Sequence, residues 1–336
     1  MKISVVVPTY NRKDSLRRTL DGLARQTWPA ANFEAVVVSD GSTDGTGAML
    51  AEYALTAPYA LRAVTQTNAG PSVARNRGVR EARHEVIVFL DDDVEPAPEL
   101  LARHAAHHAG GEKAVVLGPM SPDPENCQNE PAWIAWEHAK LQDTYAMFRP
   151  GGEYAGGDGG PMHFYSGNAS VRRRWLEAVG GFDETFKRQE DVELASRLAA
   201  RCGLRFVWDF AADGLHRPHR TFEAWLRVPK AYGALDAERV RSGQLTGDGV
   251  LDAARRRNRA TRALAGLCLA APSLLPAVTA AARVAAVALH RWGLTAPALA
   301  VLSGLYNACY LHAFTHAARQ VGPQAAPAPP TQVLTP

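Results

Sequence analysis

The chain has 336 residues, enough for one large domain with an appendage or for two domains. Hydrophobic residues make up 46% and charged residues 21%, ample for a core and ordinary for a globular protein. A net charge of +3, with no basic patch interleaved with aromatics before the last quarter of the chain, argues against nucleic acid as a partner. Cys127, Cys202, Cys268 and Cys309 are far apart and form no CxxC pair, so they read as ordinary thiols of a reducing compartment. The apolar run at 3–7 is too short for a signal sequence, so the chain is expected to begin in the fold, in the cytoplasm.

In chain order, 3–7 reads as a buried strand, followed by Leu16, Leu20 and Leu23 on one helix face. A second strand at 34–38 ends at Ser39-Asp40-Gly41-Ser42, a turn able to cap the next helix. A weaker strand spans 61–65, and 71–82 reads as a helix with Pro71 in its first turn. Residues 86–90 are apolar on both faces, as in the middle of a parallel sheet. A helix at 97–108 and a strand at 114–117 complete an alternation that predicts an α/β fold with a mostly parallel sheet. Residues 121–165, with Pro122, Pro124 and Pro131 and then the glycines of 151–160, read as an excursion with mobile loops over a substrate. Helices at 172–178 and 191–200 and a strand at 205–208 follow.

Open α/β sheets bind ligands outside the carboxyl ends of their strands. Tyr10, Asp40 and Asp91-Asp92-Asp93 all fall at such ends. Three adjacent carboxylates after a wholly apolar strand repel one another, and a bound cation is the natural compensation. Hard oxygen ligands suit Mn²⁺ or Mg²⁺ shared with a substrate phosphate. The plainer reading is a solvated turn capping the helix that follows. Asp40-Gly41-Ser42 likewise reads as an Asx turn or as a base-binding carboxylate, and Tyr10 as a stacking ring or a corner filler. Trp133 and Trp136 read equally as a sugar-stacking acceptor platform or as core. His104, His107 and His108 share a helix at ligand spacing, but with no carboxylate beside them a metal site there is disfavoured.

The blocks Val5 to Arg12, Val38 to Asp44, Ala74-Arg75-Asn76-Arg77-Gly78 and Phe89 to Asp93 stand in an order and spacing that resemble the family 2 glycosyltransferases of GT-A fold. Gly167-Asn168-Ala169-Ser170, Gly180 to Glu184 and Glu190-Asp191 continue the resemblance, which covers roughly residues 1–220. It implies a nucleotide-diphospho-sugar donor bound by Pro8, Tyr10, Asp40, Arg75, Asp91 and Asp92. It implies Asp93 as the principal metal ligand with Asp91, and His216 completing the shell, with His219 as the rival. The family usually has two acids around one variable position; here all three are acidic, which leaves the pair open. Asp191, with Glu190, takes the catalytic-base position in an inverting displacement, and Gly167 and Asn168 form an acceptor-side turn. A nucleotidyltransferase would need a glycine-rich phosphate loop after the first strand, which Pro8-Thr9-Tyr10-Asn11-Arg12 lacks. A non-catalytic nucleotide-sugar binder is disfavoured by the intact acids. The acceptor implied is a hydroxyl of a glycan, a lipid-linked sugar or a secondary metabolite.

The expected organisation is a catalytic domain at 1–250, with a nucleotide-binding half at 1–118 and an acceptor half at 119–250. A helical region at 251–319 and a disordered, Pro- and Ala-rich tail at 320–336 follow. The uncharged stretch 263–282 would make a helix of about 30 Å. It is rich in alanine, interrupted by Pro272 and Pro276, and followed by Arg283, which at the bilayer centre costs about 2.5–3.5 kcal/mol. The stretch 292–310 is similar. Arginines at 255–262 suit anionic lipid, so 255–310 is expected to lie on the inner face of the plasma membrane or to pack on the catalytic domain, with spanning of the bilayer by 263–310 as the further alternative.

Overall fold

The computed structural model describes residues 1–110, 113–125, 129–186, 188–242, 245–247, 249–250 and 259–319. Cys127, the arginines at 255–257 and the tail at 320–336 lie outside the described residues. The chain separates into two compact units, Met1–Glu130 with Glu137–His219, and Pro131–Trp136 with Arg220–Pro336.

The first unit is built on a seven-stranded sheet of order β3-β2-β1-β4-β8-β6-β9. Its strands are β1 (Ile3–Thr9), β2 (Phe33–Asp40), β3 (Ala60–Gln66), β4 (Val86–Leu90), β6 (Ala114–Leu117), β8 (Asn168–Arg172) and β9 (Arg205–Trp208). All neighbours run parallel except β8, which is antiparallel to both β4 and β6. The carboxyl ends of β1, β2, β4, β6 and β9 therefore share one edge. A second sheet, order β5-β10-β7, stands beyond that edge, from β5 (Val94–Pro96), β7 (Met120–Pro122) and β10 (Gly214–His216).

Strand periodicity divides the core in two. Ile3, Val5, Val7, Val86, Val88 and Leu90 pack with Leu16, Leu20 and Leu23 of α1 (Lys13–Ala24) on one face. Val6, Ile87 and Phe89 pack on the other with Leu194 and Leu198 of α7 (Glu190–Cys202). Leucines and β-branched residues buried on both faces explain why 86–90 shows no alternation. Strand β3 is half-exposed at the sheet's edge, which is why its sequence signal is weak. Pro8 lacks an N–H, yet it fits because β4 pairs only with Ile3 to Val6 of β1.

The region 121–165 is more ordered than its composition suggests. It contains α5 (Ala132–Phe148), and the glycine segment is tied to β9 rather than loose. Asp158 Oδ1 accepts from the N–H groups of Gly160 and Phe206, and Gly159 N donates to Phe206 O. A Cβ on Gly159 would sit 2.8 Å from Trp208 Nε1, so glycine permits the approach.

The second unit is helical: α8 (Phe222–Arg241), α9 (Arg259–Ala270), α10 (Leu275–Arg291) and α11 (Thr295–Arg319). A boundary at 250 would leave α8 with the sheet, but this helix counts with the second unit. Gly233 of α8 explains why: a Cβ there would lie 2.2 Å from Tyr310 O, so α8 and α11 meet backbone to backbone. Leu302, Leu305 and Cys309 of α11 are buried with Trp225 and Phe222, so much of 292–310 finds its apolar cover within this unit. Among the described residues, Pro272–Arg291 is long and apolar enough to cross a membrane by length and composition, and it is mostly exposed.

Candidate active site

The loops after β1 and β2 are laced together. Asn11 takes a left-handed conformation, φ 52°, which asparagine tolerates better than most residues. Its Oδ1 accepts from Thr43 N at 2.7 Å, its N–H donates to Ser42 Oγ, and Lys13 N donates to Asp44. Tyr10 is left 50% exposed at the strand end, with its ring free to meet a planar ligand. Asp40 is buried and accepts from Gln66 Nε2, Ala69 N and Gly70 N at 2.8–2.9 Å. Three of about four lone-pair positions are thus used. Asp40 orders the turn that launches α3 (Pro71–Glu81).

Helix α3 carries Arg75 into the site. Its guanidinium donates to Asp91 Oδ1 at 3.0 Å and reaches Glu190 Oε1 at 3.4 Å, lying over the Phe182 ring. Burial alone would lower the Arg75 pKa, but Asp91, Asp191 and Glu190 more than reverse it. Arg75 therefore links the acidic run at 91–93 with the acidic pair at 190–191. Gly167 packs against Asp91: a Cβ there would come within 2.8 Å of Asp91 Oδ2.

The other two aspartates are held by Arg12, whose Nη1 lies 3.1 Å from Asp92 Oδ1 and 2.5 Å from Asp93 Oδ2. Burial raises the Asp92 pKa to about 7, with Arg12 opposing and Asp93 adding to the rise. The second Asp93 oxygen, Oδ1, faces His216 Nε2 at 3.7 Å. That gap is too long for a hydrogen bond and short enough for one ion of the Mn²⁺ class to touch both. No group of three or more His, Cys, Asp or Glu is preassembled for a metal among the described residues. The pair Asp93 and His216 thus fits a cation that brings its remaining ligands as water and phosphate oxygens. The backbone supports the pairing: Arg217 N donates to Asp93 O, and His216 stands opposite Val94 in the small sheet. His219 is exposed, and His216 is the histidine that meets the aspartates.

Glu190 and Asp191 open α7, whose N-cap is Gln189 in a left-handed conformation. Asp191 Oδ2 accepts from Ser166 N at 3.3 Å, while Oδ1 is buried without a hydrogen-bond partner among the described residues. Burial, reinforced by Glu190 and opposed by Arg75, raises the Asp191 pKa to about 6. A carboxylate in that state is a stronger base than an exposed aspartate.

Asn168 is not on an acceptor-side turn. It opens β8, is 1% exposed, and its amide is fully engaged with His104, Pro119 O and Ala212 O. Strand pairing on both sides of β8, which a three-residue motif does not announce, is the reason. Trp133 and Trp136 take the core alternative in the second unit: Trp136 stacks on Tyr306 and donates to Ser303 Oγ, and Trp133 donates to Arg220 O. Arg12 and Ser166 were given no role by the sequence; Arg12 sits inside a quoted block, and nothing local marks Ser166.

The sequence profile of Glycosyl transferase family 2 matches residues 4–180, and the chain belongs to this family. Validoxylamine A glucosyltransferase of Streptomyces hygroscopicus subsp. jinggangensis (strain 5008) is 36% identical over 243 residues, 66% of this chain and 57% of its own length. The chain thus spans little more than half the length of the curated relatives it matches first. Mannosyltransferase PcManGT from Pyrobaculum calidifontis, solved with GDP-Man and Mn²⁺, superposes with a TM-score of 0.59 at 26% identity. The overlap covers 94% of this chain and 86% of that one. S. aureus TarS 1-349, solved with UDP, gives a TM-score of 0.51 at 21% identity over 92% and 90% of the two chains, a likeness of fold. The fold is GT-A, a mixed α/β sheet with C-terminal helices.

Proposed function

We propose that this chain is an inverting, metal-dependent glycosyltransferase that moves a hexosyl unit from a nucleotide diphosphate to an acceptor hydroxyl. The observation that carries the reading is the facing pair Asp93 Oδ1 and His216 Nε2, 3.7 Å apart at the strand edge that also holds Asp91 and Arg75. The names of the relatives support it: one is a glucosyltransferase, and the mannosyltransferase was solved with GDP-Man and Mn²⁺. The base of the donor is uracil, thymine or guanine, against Tyr10 and Asp40. The acceptor is a glycan, lipid-linked or secondary-metabolite hydroxyl.

Asp93 and His216 would hold Mn²⁺ or Mg²⁺, which when bound offsets charge developing on the leaving diphosphate. Arg75 holds Asp91 toward the ribose side and adds positive charge beside the phosphates. Asp191 takes the proton from the acceptor hydroxyl as that oxygen bonds to the anomeric carbon and the carbon–diphosphate bond breaks on the opposite face. A carboxylate at about 6 is still far below a sugar hydroxyl, so proton transfer lags bond-making, and placement supplies most of the effect. We extend the reading to a peripheral membrane contact through 255–310, supported by exposed Leu274, Val284, Trp292 and Leu294.

Thermal shift with UDP-glucose and GDP-mannose, each with and without Mn²⁺, tests the donor and metal together. Ligand at 100 times its Kd adds about 2.7 kcal/mol of stability. One donor is expected to raise Tm only with Mn²⁺, and Asp93→Asn to abolish that dependence. An unchanged Mn²⁺ dependence in Asp93→Asn would defeat the site assignment.

A further inference from the structure

Beneath the catalytic edge of the first unit, buried side chains form a hydrogen-bond chain whose direction the geometry fixes. Asn168 Nδ2 donates to two carbonyls, Pro119 O and Ala212 O, each at 2.8 Å. Both amide protons are spent there, so Asn168 Oδ1 can only accept, and its partner is His104 Nε2 at 3.0 Å. His104 must therefore carry its proton on Nε2. Burial keeps both histidines neutral, pushing His104 down to about 4 and His108 to about 3. The lone pair of His104 is then on Nδ1, so Ser170 Oγ–H donates to it at 2.8 Å. The Ser170 oxygen in turn accepts from His108 Nε2–H at 2.8 Å. The order is His108 to Ser170 to His104 to Asn168, ending on two backbone carbonyls.

Those carbonyls lie where the metal edge is assembled. Ala212 precedes β10, the strand of His216, and Pro119 O also accepts from Gly214 N at the start of that strand. On the other side, Gly167 O accepts from Asp91 N, and Asn168 O accepts from Gly118 N. Asn168 and its neighbour therefore tie down both the aspartate turn and the histidine strand. The amide has no room to reseat: a Cβ on Gly118 would be 2.3 Å from Asn168 Nδ2 and from Ala212 O.

We propose that His104 is a positioning residue, which through Asn168 sets the separation of Asp93 and His216 on which cation binding depends. The inference rests on the metal reading given above. A histidine pair that only stabilised the core would give a different pattern from the one this chain requires. His104→Gln brings an amide N–H to the Nε2 position and keeps the bond to Asn168. His104→Asn reaches only the Nδ1 position, keeps the contact with Ser170 and leaves Asn168 Oδ1 unpaired.

The experiment titrates Mn²⁺ into the full chain, with UDP and GDP in separate arms, and follows free Mn²⁺ by electron paramagnetic resonance beside Tm. His104→Asn should weaken Mn²⁺ binding by about tenfold or more, the usual scale for a lost outer support of a metal ligand. His104→Gln should stay near wild type although its Tm also falls. Ser170→Ala, which cuts the chain before His104, should lower Tm and leave Mn²⁺ affinity unchanged, and it serves if the histidine variants do not fold. Equal Mn²⁺ affinity in the asparagine and glutamine variants, or a loss in Ser170→Ala, would overturn the proposal. Wild type that binds no Mn²⁺ with either nucleotide would overturn the metal reading itself, and this inference with it.

Discussion

The acid limb of the rate profile should belong to Asp191. Burial holds this carboxyl at about 6, well above the ordinary aspartate value of 3.8, with Glu190 adding to the rise and Arg75 opposing it. A general base works only when deprotonated, so activity must fall as pH drops through that value. With a pKa of about 6, roughly 9% of the enzyme carries the deprotonated base at pH 5 and about 90% at pH 7, a tenfold difference in kcat. The assay is nucleoside diphosphate release at saturating donor and Mn²⁺, so that binding does not distort the limb. Removing the Glu190 charge with Glu190→Gln takes away one cause of the rise and should move the limb to lower pH. Arg75→Met removes the opposing cation and should move it higher. Asp191→Asn should cost about 10²–10⁴ in kcat and erase the limb. An asparagine variant that kept an acid limb near 6 would refute the assignment of the base.

The buried histidines make a stability prediction in which the sign matters. Their folded pKa values lie below the unfolded value, so each contributes stability above about 6.5 that is lost as pH falls. Asp92 and Asp191, raised in the folded state, pull the other way over the same range, so the wild-type slope alone does not isolate the effect. Comparison with His108→Phe does: urea denaturation should show the gap to wild type closing by about 2.5 kcal/mol between pH 7 and pH 4.5, at about 1.4 kcal/mol per pH unit. A constant gap would mean that His108 is not held neutral. For the second unit, cosedimentation with anionic phosphatidylserine vesicles should exceed that with neutral phosphatidylcholine, and Trp292→Ser should reduce it; no vesicle binding at all would remove the membrane contact.

Much of the first unit was legible because its signals are local. The runs at 3–7 and 86–90 could only be buried strands, and the acids fell at their carboxyl ends, where β1, β2 and β4 do terminate. Asp93 faces His216 and Arg75 joins Asp91 to Glu190, but the sharing-out within 91–93 is not visible in the sequence. It depends on Arg12 taking Asp92 and one oxygen of Asp93 across about 80 residues of chain, and on Arg75 taking Asp91. The place of Asn168 is hidden for the same reason: its partners His104, Pro119 and Ala212 are all distant in sequence. The prolines and glycines of 121–165 read as an excursion with mobile loops, yet α5 lies within it and Asp158 fastens its glycine stretch to β9. Composition reports the freedom of a backbone, not the side chain that removes it. Helix α8 lies before the expected boundary at 250 yet counts with the second unit; it is amphipathic in an ordinary way, and Gly233 against Tyr310 shows which neighbour it serves.

Inversion at the anomeric carbon is the claim on which the site stands, since it needs Asp191 on the face opposite the diphosphate. The direct test is proton NMR of the first-formed sugar as the enzyme, with Mn²⁺, hydrolyses UDP-α-D-glucose or GDP-α-D-mannose, read before mutarotation. A single displacement gives the β anomer first; first formation of the α anomer would contradict it.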